Sequence, residues 1–445
     1  MKDSLLLFLT FAFLINIACF AYAEGNEPSN ADLLKEIESL KRKIVQQEKR
    51  ITELETKLSS QLEQQQEQVK EALKYTPGEG VEISEVGISV SAGATFIIQG
   101  AIDANNTGGK GEDITDASYS IDLELEKEFE DFGLAFIHLE TGDGAGIEDE
   151  LQVFSNVNRD ADDSDNSISL TEAWYEHHLF DKQLTLRAGK IDPTRFVDQN
   201  EIANDECTQF LGRIFRNAPA IDFPDNTAGV SGLIALERIP WFEFEGQILD
   251  GDDGWEDIAD TIFTTYQINL KPTFLGNLSG NYRVYGWYKH TPYIKWADSN
   301  NQQDEDKHGF GISADQQLSG IFTIFGRYSW CDPDVYSSGE DFSLEHTWSA
   351  GCQLSGKPWG REQDRIALAV GMAMPSDEYK KAGSNLKTDD EGHFEAYYSW
   401  CVNEHLTLSP DIHIIWNPYG GDYTVSDEKR DDTITIIGCR GQVDF

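Results

Sequence analysis

Apolar and polar residues alternate one for one along many segments of this chain. Ile121, Leu123, Leu125 and Phe129 alternate with Asp122, Glu124, Glu126 and Glu128, and Leu406, Leu408, Ile412, Ile414 and Trp416 alternate with Thr407, Ser409, Asp411 and His413. Successive side chains of a strand point to opposite faces, so a period of two predicts strands with one apolar and one polar face. At the end of the chain Cys439, Gly441, Val443 and Phe445 share one face, and Arg440, Gln442 and Asp444 the other. A soluble sandwich shows such alternation; so does a transmembrane barrel, whose apolar face meets lipid and whose polar face lines a wet lumen.

A different period governs Asp32 to about Leu73. Ile37, Ile44, Ile51 and Leu58 recur every seventh residue, with Leu33, Leu40 and Leu54 in the partner position, which predicts a coiled coil. With the isoleucines at a, residues Glu36, Lys43 and Arg50 fall at g and Lys41, Glu48 and Glu55 at e. Every g to following e pair is attractive, so the coil is expected to be parallel and self-associating; a lone amphipathic helix leaves those pairs unexplained. Gln47 and Gln61 at d, and a register shift at Leu62, Val69 and Leu73, leave dimer and trimer both open. A helix of that length reaches about 60 Å at ~1.5 Å per residue. Tyr75-Thr76-Pro77-Gly78-Glu79-Gly80 then breaks it,.

Leu5 to Phe20 is an apolar run, and Ala21-Tyr22-Ala23 before Glu24 reads as the cleavage site of an export signal,. Cys19 raises a lipoprotein signal as the alternative, but Asn16 stands where that motif needs an apolar residue,. No other stretch is long and apolar enough to span a bilayer as a helix. The mean hydropathy of −0.45 is compatible with a barrel, whose interior and loops are polar. The expected organisation is a signal peptide over 1–23, a linker over 24–31, a periplasmic coiled coil over 32–74, a linker over 75–80 and a barrel over 81–445. The last part has room for about sixteen strands of ten or so residues with short turns at one end and longer loops at the other. Trp241, Trp287, Trp400, Trp416 and Tyr419 lie near strand ends, where aromatic rings form interfacial girdles. The fold class is therefore all-β: a transmembrane antiparallel β-barrel of 16 strands, preceded by an N-terminal α-helical coiled coil. The aromatic Phe445 also resembles the carboxyl terminus of bacterial outer-membrane proteins.

Charge narrows the choice of cargo. The formal net charge is −44, from 79 acidic and 35 basic residues, which opposes binding nucleic acid or accumulating anions. The acidic clusters Asp143 to Glu150, Asp160 to Asp165 and Asp250 to Asp260 lie between alternating segments and read as solvated loops,. Asp160 to Asn166 has a calcium-like start but lacks the turn glycine and distal glutamate of an EF-hand,, so neither a specific metal site nor a cofactor is expected. Cys207, Cys331, Cys352, Cys401 and Cys439 remain after cleavage, and an odd number at irregular spacing defines no disulfide framework,. No Gly-x-Ser-x-Gly or His-Glu-x-x-His occurs, His177 and His178 face opposite ways on a strand, and His413 faces the lumen beside no nucleophile. An enzyme is not expected.

Between the strands near Leu184 and Val230 lies Gly189 to Gly229, with no period-two run and a length far beyond a hairpin turn. Loops this long are usually functional. This one carries Arg195, Asp198, Gln199, Asn200, Glu201, Asn204, Asp205, Glu206, Gln209, Arg213 and Arg216, and it is expected to fold inward and narrow a pore. It resembles the signature region of the carbohydrate-selective, OprB-like porins, through Gly189-Lys190, Asp192-Pro193-Thr194, Phe196-Val197-Asp198-Gln199-Asn200-Glu201, Asn204-Asp205-Glu206, Thr208-Gln209-Phe210 and Phe223-Pro224-Asp225-Asn226. The likeness extends from Gly93 to Gln99 and Glu140-Thr141-Gly142-Asp143-Gly144 upstream to Leu408-Ser409-Pro410-Asp411, Asn417-Pro418 and Gly438-Cys439-Arg440 downstream.

The resemblance implies a passive outer-membrane channel for sugars, sixteen-stranded and homotrimeric. The residues expected at the constriction are Arg195, Asp198, Asn200, Glu201, Arg213 and Arg216, with Glu395 and Arg440 on the lumen wall. The competing expectation for each is that it pins the loop to the barrel, because buried loop backbone needs hydrogen-bond partners. The coil lies outside the family pattern and is expected to touch peptidoglycan or to serve assembly. Two other functions fit the residues: a cation-selective general porin, and a structural tether between outer membrane and wall.

Overall fold

The computed structural model describes residues 29–83, 86–105, 112–161, 166–252, 255, 258, 260–273, 278–296, 305–337, 343–382, 388–421 and 433–445. The export signal read over 1–23 lies outside them. The chain divides into two units, Met1–Ala72 and Leu73–Phe445. Among its described residues the first contains an α-helix, Asn30–Ala72, with Asp32 in its first turn, where a carboxylate favours the exposed N–H groups. Ile37, Ile44, Ile51, Leu54 and Leu58 stay 41–60 % exposed along it. The helix ends at Ala72, earlier than the sequence pattern puts it. Leu73–Thr76 and Gly80–Ile83 pair instead as a hairpin across the Pro77-Gly78 turn.

Sixteen long strands form the second unit: β1 Ile88–Ala104, β2 Glu112–Phe129, β3 Gly133–Asp143, β4 Ser169–Leu179, β5 Leu184–Ile191, β6 Thr227–Ala235, β7 Phe242–Asp250 and β8 Ile262–Leu270 in the first half. The second half comprises β9 Gly280–Lys295, β10 Glu305–Ser319, β11 Phe322–Cys331, β12 Leu344–Ser355, β13 Arg365–Pro375, β14 Glu391–Cys401, β15 Leu406–Trp416 and β16 Ile434–Asp444. Each pairs antiparallel with its sequence neighbour, and β16 closes on β1 from Thr435↔Ile102 to Asp444↔Gly93. Closure leaves no edge strand, as a barrel in lipid requires. The short hairpin adds to β1 through Val81↔Val90, and Val335–Ser337 adds to the end of β9. The links 130–132, 180–183, 320–321 and 402–405, which join strands at one end, are short; 144–168, 192–226, 376–390 and 417–433, which join them at the other, are long.

The alternation in the sequence becomes an inside-out distribution. Phe96, Ile98, Val230, Ile248, Tyr266, Val284, Phe310 and Ile437 point outward and are exposed, while Thr95, Gln99, Gln247, Gln267, Arg283, Ser313, Arg327 and Arg440 point inward and are buried. This is the lipid-facing and lumen-facing division of a membrane barrel. Trp241 and Trp400 are exposed, at 52 % and 44 %. Trp287 departs from the girdle expectation: it faces inward at 2 % exposure beside Phe263. Tyr419 departs as well, because it stacks on Phe154 with ring centroids 4.6 Å apart.

Candidate functional site

The link between β5 and β6, 192–226, runs inside the barrel. Its apolar residues choose where it lies. Phe210, Ile214 and Phe215 are buried against Phe325 and Tyr397 and against Ala367, Ala369 and Ala373 of β13. The inward positions of β13 from 367 to 373 are Ala, Ala, Gly and Ala. A Cβ added at Gly371 would sit 2.9 Å from Ile214 and 3.0 Å from the Trp348 carbonyl. Small residues on that wall leave the volume that the loop fills.

Polar residues then fix it. Asp198, whose φ of 57° is left-handed, accepts Arg327 Nε at 3.1 Å and the Ala218 N–H at 2.7 Å. Arg327 also donates to the Asp198 carbonyl at 2.9 Å and to the Phe215 carbonyl. The two side chains are 0 % and 1 % exposed, so each charge depends on the other for compensation. Asn200 donates to Ser313 Oγ and the Ala314 carbonyl, both at 3.3 Å. Arg440 donates to the carbonyls of Glu206 and Gln209 at 2.6 and 2.9 Å. Glu395 accepts the N–H groups of Leu211 and Gly212 at 2.8 and 3.0 Å. Glu395 and Arg440 face inward beneath the loop, at 0 % and 1 % exposure.

A second link, described over 144–161 and 166–168, turns inward at 148–159, against the expectation of a solvated acidic loop; residues 162–165 of the acidic cluster lie outside the described residues. Glu148 accepts the N–H groups of Val157 and Asn158, and Glu391 of β14 accepts those of Phe154 and Ser155, both at 2.9 Å. The two links meet where Arg159 N donates to the Leu211 carbonyl at 3.0 Å and Ile214 N to the Ser155 carbonyl at 3.2 Å.

Beside these loops lies a cavity of about 1170 Å³, bounded by residues of β1 to β5 and of β16. Arg195 and Arg216 line it; Asp198, Asn200, Glu201, Arg213, Glu395 and Arg440 do not. Arg195 makes a forked contact with Glu172 through Nε at 2.9 Å and Nη2 at 2.5 Å, and its guanidinium lies 4.6 Å from the centre of the Phe136 ring. Arg216 pairs with Glu206 and donates to Thr194 Oγ1 at 3.1 Å. Burial lowers the affinity of the Arg216 guanidinium for its proton, but Glu206 and Asp192 more than offset this, so its pKa lies above the ordinary value. Glu201 is exposed and held through its N–H to Asp315 at 3.3 Å. Arg213 acts on Asp222: burial pushes that carboxyl up, but Lys289, Lys307, the Tyr293 hydroxyl and Arg213 hold it below the usual range.

Among the described residues, ten carboxylate side chains and four of Lys or Arg line the cavity. One of the ten behaves differently. Asp160 is buried, accepts Ser120 Oγ at 3.1 Å and Cys207 Sγ at 3.3 Å, and is pushed up to about 8 by burial and by Glu206.

Comparison with known proteins agrees with the fold. The family described as "Carbohydrate-selective porin, OprB family" matches residues 112–233 and 241–445. The high-pH structure of Pseudomonas putida OprB superposes with a TM-score of 0.67 at 15 % identity, covering 81 % of this chain and 95 % of that one. The outer-membrane channel DcaP of Acinetobacter baumannii gives a TM-score of 0.50 at 11 % identity, covering 82 % and 99 %. An uncharacterized protein of Aquifex aeolicus (strain VF5) is 29 % identical over 233 residues, which span 52 % of this chain and 63 % of that relative.

Proposed function

Because this chain belongs to the carbohydrate-selective porin family, the OprB family, and is an outer-membrane β-barrel, we propose that it passes sugars by passive diffusion through a bore narrowed by the 192–226 loop. The observation that carries this reading is the cavity beside the loop, with its paired Arg195–Glu172 and Arg216–Glu206 side chains and an aromatic ring, Phe136, beneath Arg195. A sugar offers vicinal hydroxyls that both donate and accept, and a guanidinium–carboxylate pair offers both partners side by side. In this reading Arg195 and Arg216 touch the sugar. Asp198, Asn200, Glu201 and Arg213, with Glu395 and Arg440 behind them, hold the loop that presents the two arginines.

The helix Asn30–Ala72 forms a parallel coiled coil in the periplasm that covers its exposed isoleucine and leucine stripe, helps assemble a homotrimer, and contacts peptidoglycan. A general cation-selective porin is the second reading, favoured by the excess of carboxylates in the cavity,.

Single-channel conductance in planar bilayers, titrated with glucose and maltose while the reversal potential is recorded, separates the two. Saturable block by neutral sugars, weakened by Arg195→Ala and kept when residues 30–72 are deleted, supports the sugar channel. Conductance indifferent to sugars with strong cation selectivity supports the general porin. No conductance leaves the tether role.

A further inference from the structure

His393 and Glu395 stand two residues apart on β14, and Asp411 and His413 two apart on β15, so all four point inward,. In the strand register Glu395 lies directly opposite His413. The side chains of His393, Glu395 and His413 are completely buried, and each offers one ligand atom within 4.8 Å of the others.

Hydrogen bonding to the far side of each ring fixes what the near side presents. His413 Nε2 faces Asp411 Oδ1 at 3.1 Å, and His393 Nδ1 faces Ser155 Oγ at 2.8 Å. The remaining nitrogens, His413 Nδ1 and His393 Nε2, therefore face each other, 2.9 Å apart. Glu395 Oε2 lies 3.8 Å from His413 Nδ1. Gln99 Nε2 also approaches His413 Nε2, at 3.5 Å; when the far nitrogens donate, two lone pairs converge on a point where a cation can stand. Metal-binding imidazoles are oriented by this kind of bond from the other ring nitrogen to a carboxylate or hydroxyl.

Acidic groups surround the two nitrogens. Glu395 and Asp411 bring two negative charges into direct contact with the imidazoles. A divalent ion held by the two nitrogens and Glu395 Oε2 would bring positive charge to a buried set that contains the carboxyl groups of Glu395 and Asp411, and buried charge is tolerated only when it is paired,. We propose that His393, Glu395 and His413 bind one divalent transition-metal ion of the zinc class, with Asp411 and Ser155 orienting the two imidazoles. Zinc–nitrogen distances of ~2.0–2.1 Å place two tetrahedral nitrogens ~3.3 Å apart, so binding requires the facing nitrogens to part slightly and turn toward a shared ion, and Glu395 Oε2, 3.8 Å from His413 Nδ1, to draw closer. A fourth position is left to water.

The site joins four separate pieces of chain. Glu395 holds the Leu211 and Gly212 N–H groups of one inward loop, His393 holds Ser155 of the other, and the strands supply the rest. A bound ion therefore clamps both loops to the wall. Two histidines 20 residues apart on different strands form no recognisable ligand spacing in the sequence.

The test is to strip the full-length protein with a chelator, unfold it, and refold it with zinc or cobalt chloride. Metal per chain after dialysis, the cobalt visible spectrum and the thermal midpoint are then measured. One tightly held ion per chain, cobalt bands of a nitrogen-ligated tetrahedral site and a raised midpoint are expected. His393→Gln and His413→Gln should lower retention at least tenfold, while His346→Gln, on another strand, should not. The proposal is overturned when the wild type refolds but retains no zinc or cobalt, or when cobalt shows only the pale spectrum of oxygen ligands from acidic loops. It is also overturned when the midpoint responds to pH but not to metal, the behaviour of a shared proton. Because the wild-type spectrum and midpoint decide these outcomes, variants that fail to fold leave the test intact.

Discussion

Replacing Arg327 by Met removes the positive half of a buried pair while filling much the same volume. Asp198 then keeps the Ala218 N–H at 2.7 Å and the neighbouring Tyr285 hydroxyl but no guanidinium, and the carbonyls of Asp198 and Phe215 lose their guanidinium donor. Breaking a buried pair in this way costs about 3–5 kcal/mol, equivalent to about 150- to 4,000-fold in an equilibrium at 1.4 kcal/mol per tenfold. The barrel strands keep their ladder hydrogen bonds, so the cost falls on the docked state of the loop. Trypsin reads that state directly, because Arg195, Arg213 and Arg216 lie within the loop. When opening is fast relative to cleavage, the rate follows the open population. Tryptic cleavage within 192–226 should accelerate by two to three orders of magnitude in Arg327→Met, with the barrel bands intact. Arg327→Met combined with Asp198→Asn should recover part of the loss, since no bare charge remains buried. An Arg327→Met protein cleaved within about threefold of the wild-type rate, with unchanged conductance, would refute the idea that this pair holds the loop.

Two further outcomes follow from the same geometry. Asp160, pushed up to about 8 by burial and by Glu206, adds negative charge to the cavity wall as pH rises through that value. Cation selectivity from the reversal potential should increase between about pH 7 and pH 9 and stay flat in Asp160→Asn. Because its folded-state pKa is raised, Asp160 contributes stability that is present below the ordinary carboxylate pKa of about 3.9 and is lost as pH rises toward 8. Gly371→Leu should push Ile214 off the β13 wall, at a cost of about 1–3 kcal/mol for overpacking. It should lower the thermal midpoint and give larger, noisier single-channel conductance; an unchanged trace would show that the loop does not depend on this contact.

The strands were legible because their polarity is written residue by residue. Arg440 and Gln442 are buried and Ile437 and Phe445 exposed, as a period of two demands. The loop at 192–226 was legible from its length and lack of period. The division of labour within it was not, because it depends on partners remote in sequence. Asp198 and Asn200 stand in one motif with Glu201, yet the first two are buried by Arg327 and Ser313, more than a hundred residues away, while Glu201 faces solvent. The alternating small residues of β13 from Ala367 to Ala373 were the available signal that something packs against that wall. The acidic composition of 144–168 pointed outward to water, whereas Glu148 satisfies backbone N–H groups and Asp160 takes bonds from Ser120 and Cys207. Acidity alone does not distinguish a solvated carboxylate from one that caps a buried turn.

The barrel interior is thus divided by side-chain size and charge pairing rather than by strand pattern. On the β10, β11, β13 and β14 side, alanines, Phe325 and fully paired polar groups hold the loop; on the β1 to β5 side, carboxylates and two paired arginines are left facing open space. The pairing bears on flux. A bare guanidinium in a narrow passage would hold anions tightly, and a bare carboxylate would hold cations, each slowing release. Arg195 is matched by Glu172 and Arg216 by Glu206, so each pair presents donors and acceptors with little net charge. Such a surface can exchange hydrogen bonds with hydroxyls at modest net gain, because each bond to the sugar replaces one to water. The Arg195 side chain is 34 % exposed while its partner Glu172 is 2 % exposed, so the carboxylate fixes the guanidinium in place and leaves part of it free to face the passage. On the proposed reading Glu172 is therefore a positioning residue. Glu172→Gln should weaken sugar block through a misplaced Arg195, and it should increase block by small anions, which the neutralised pair does not attract.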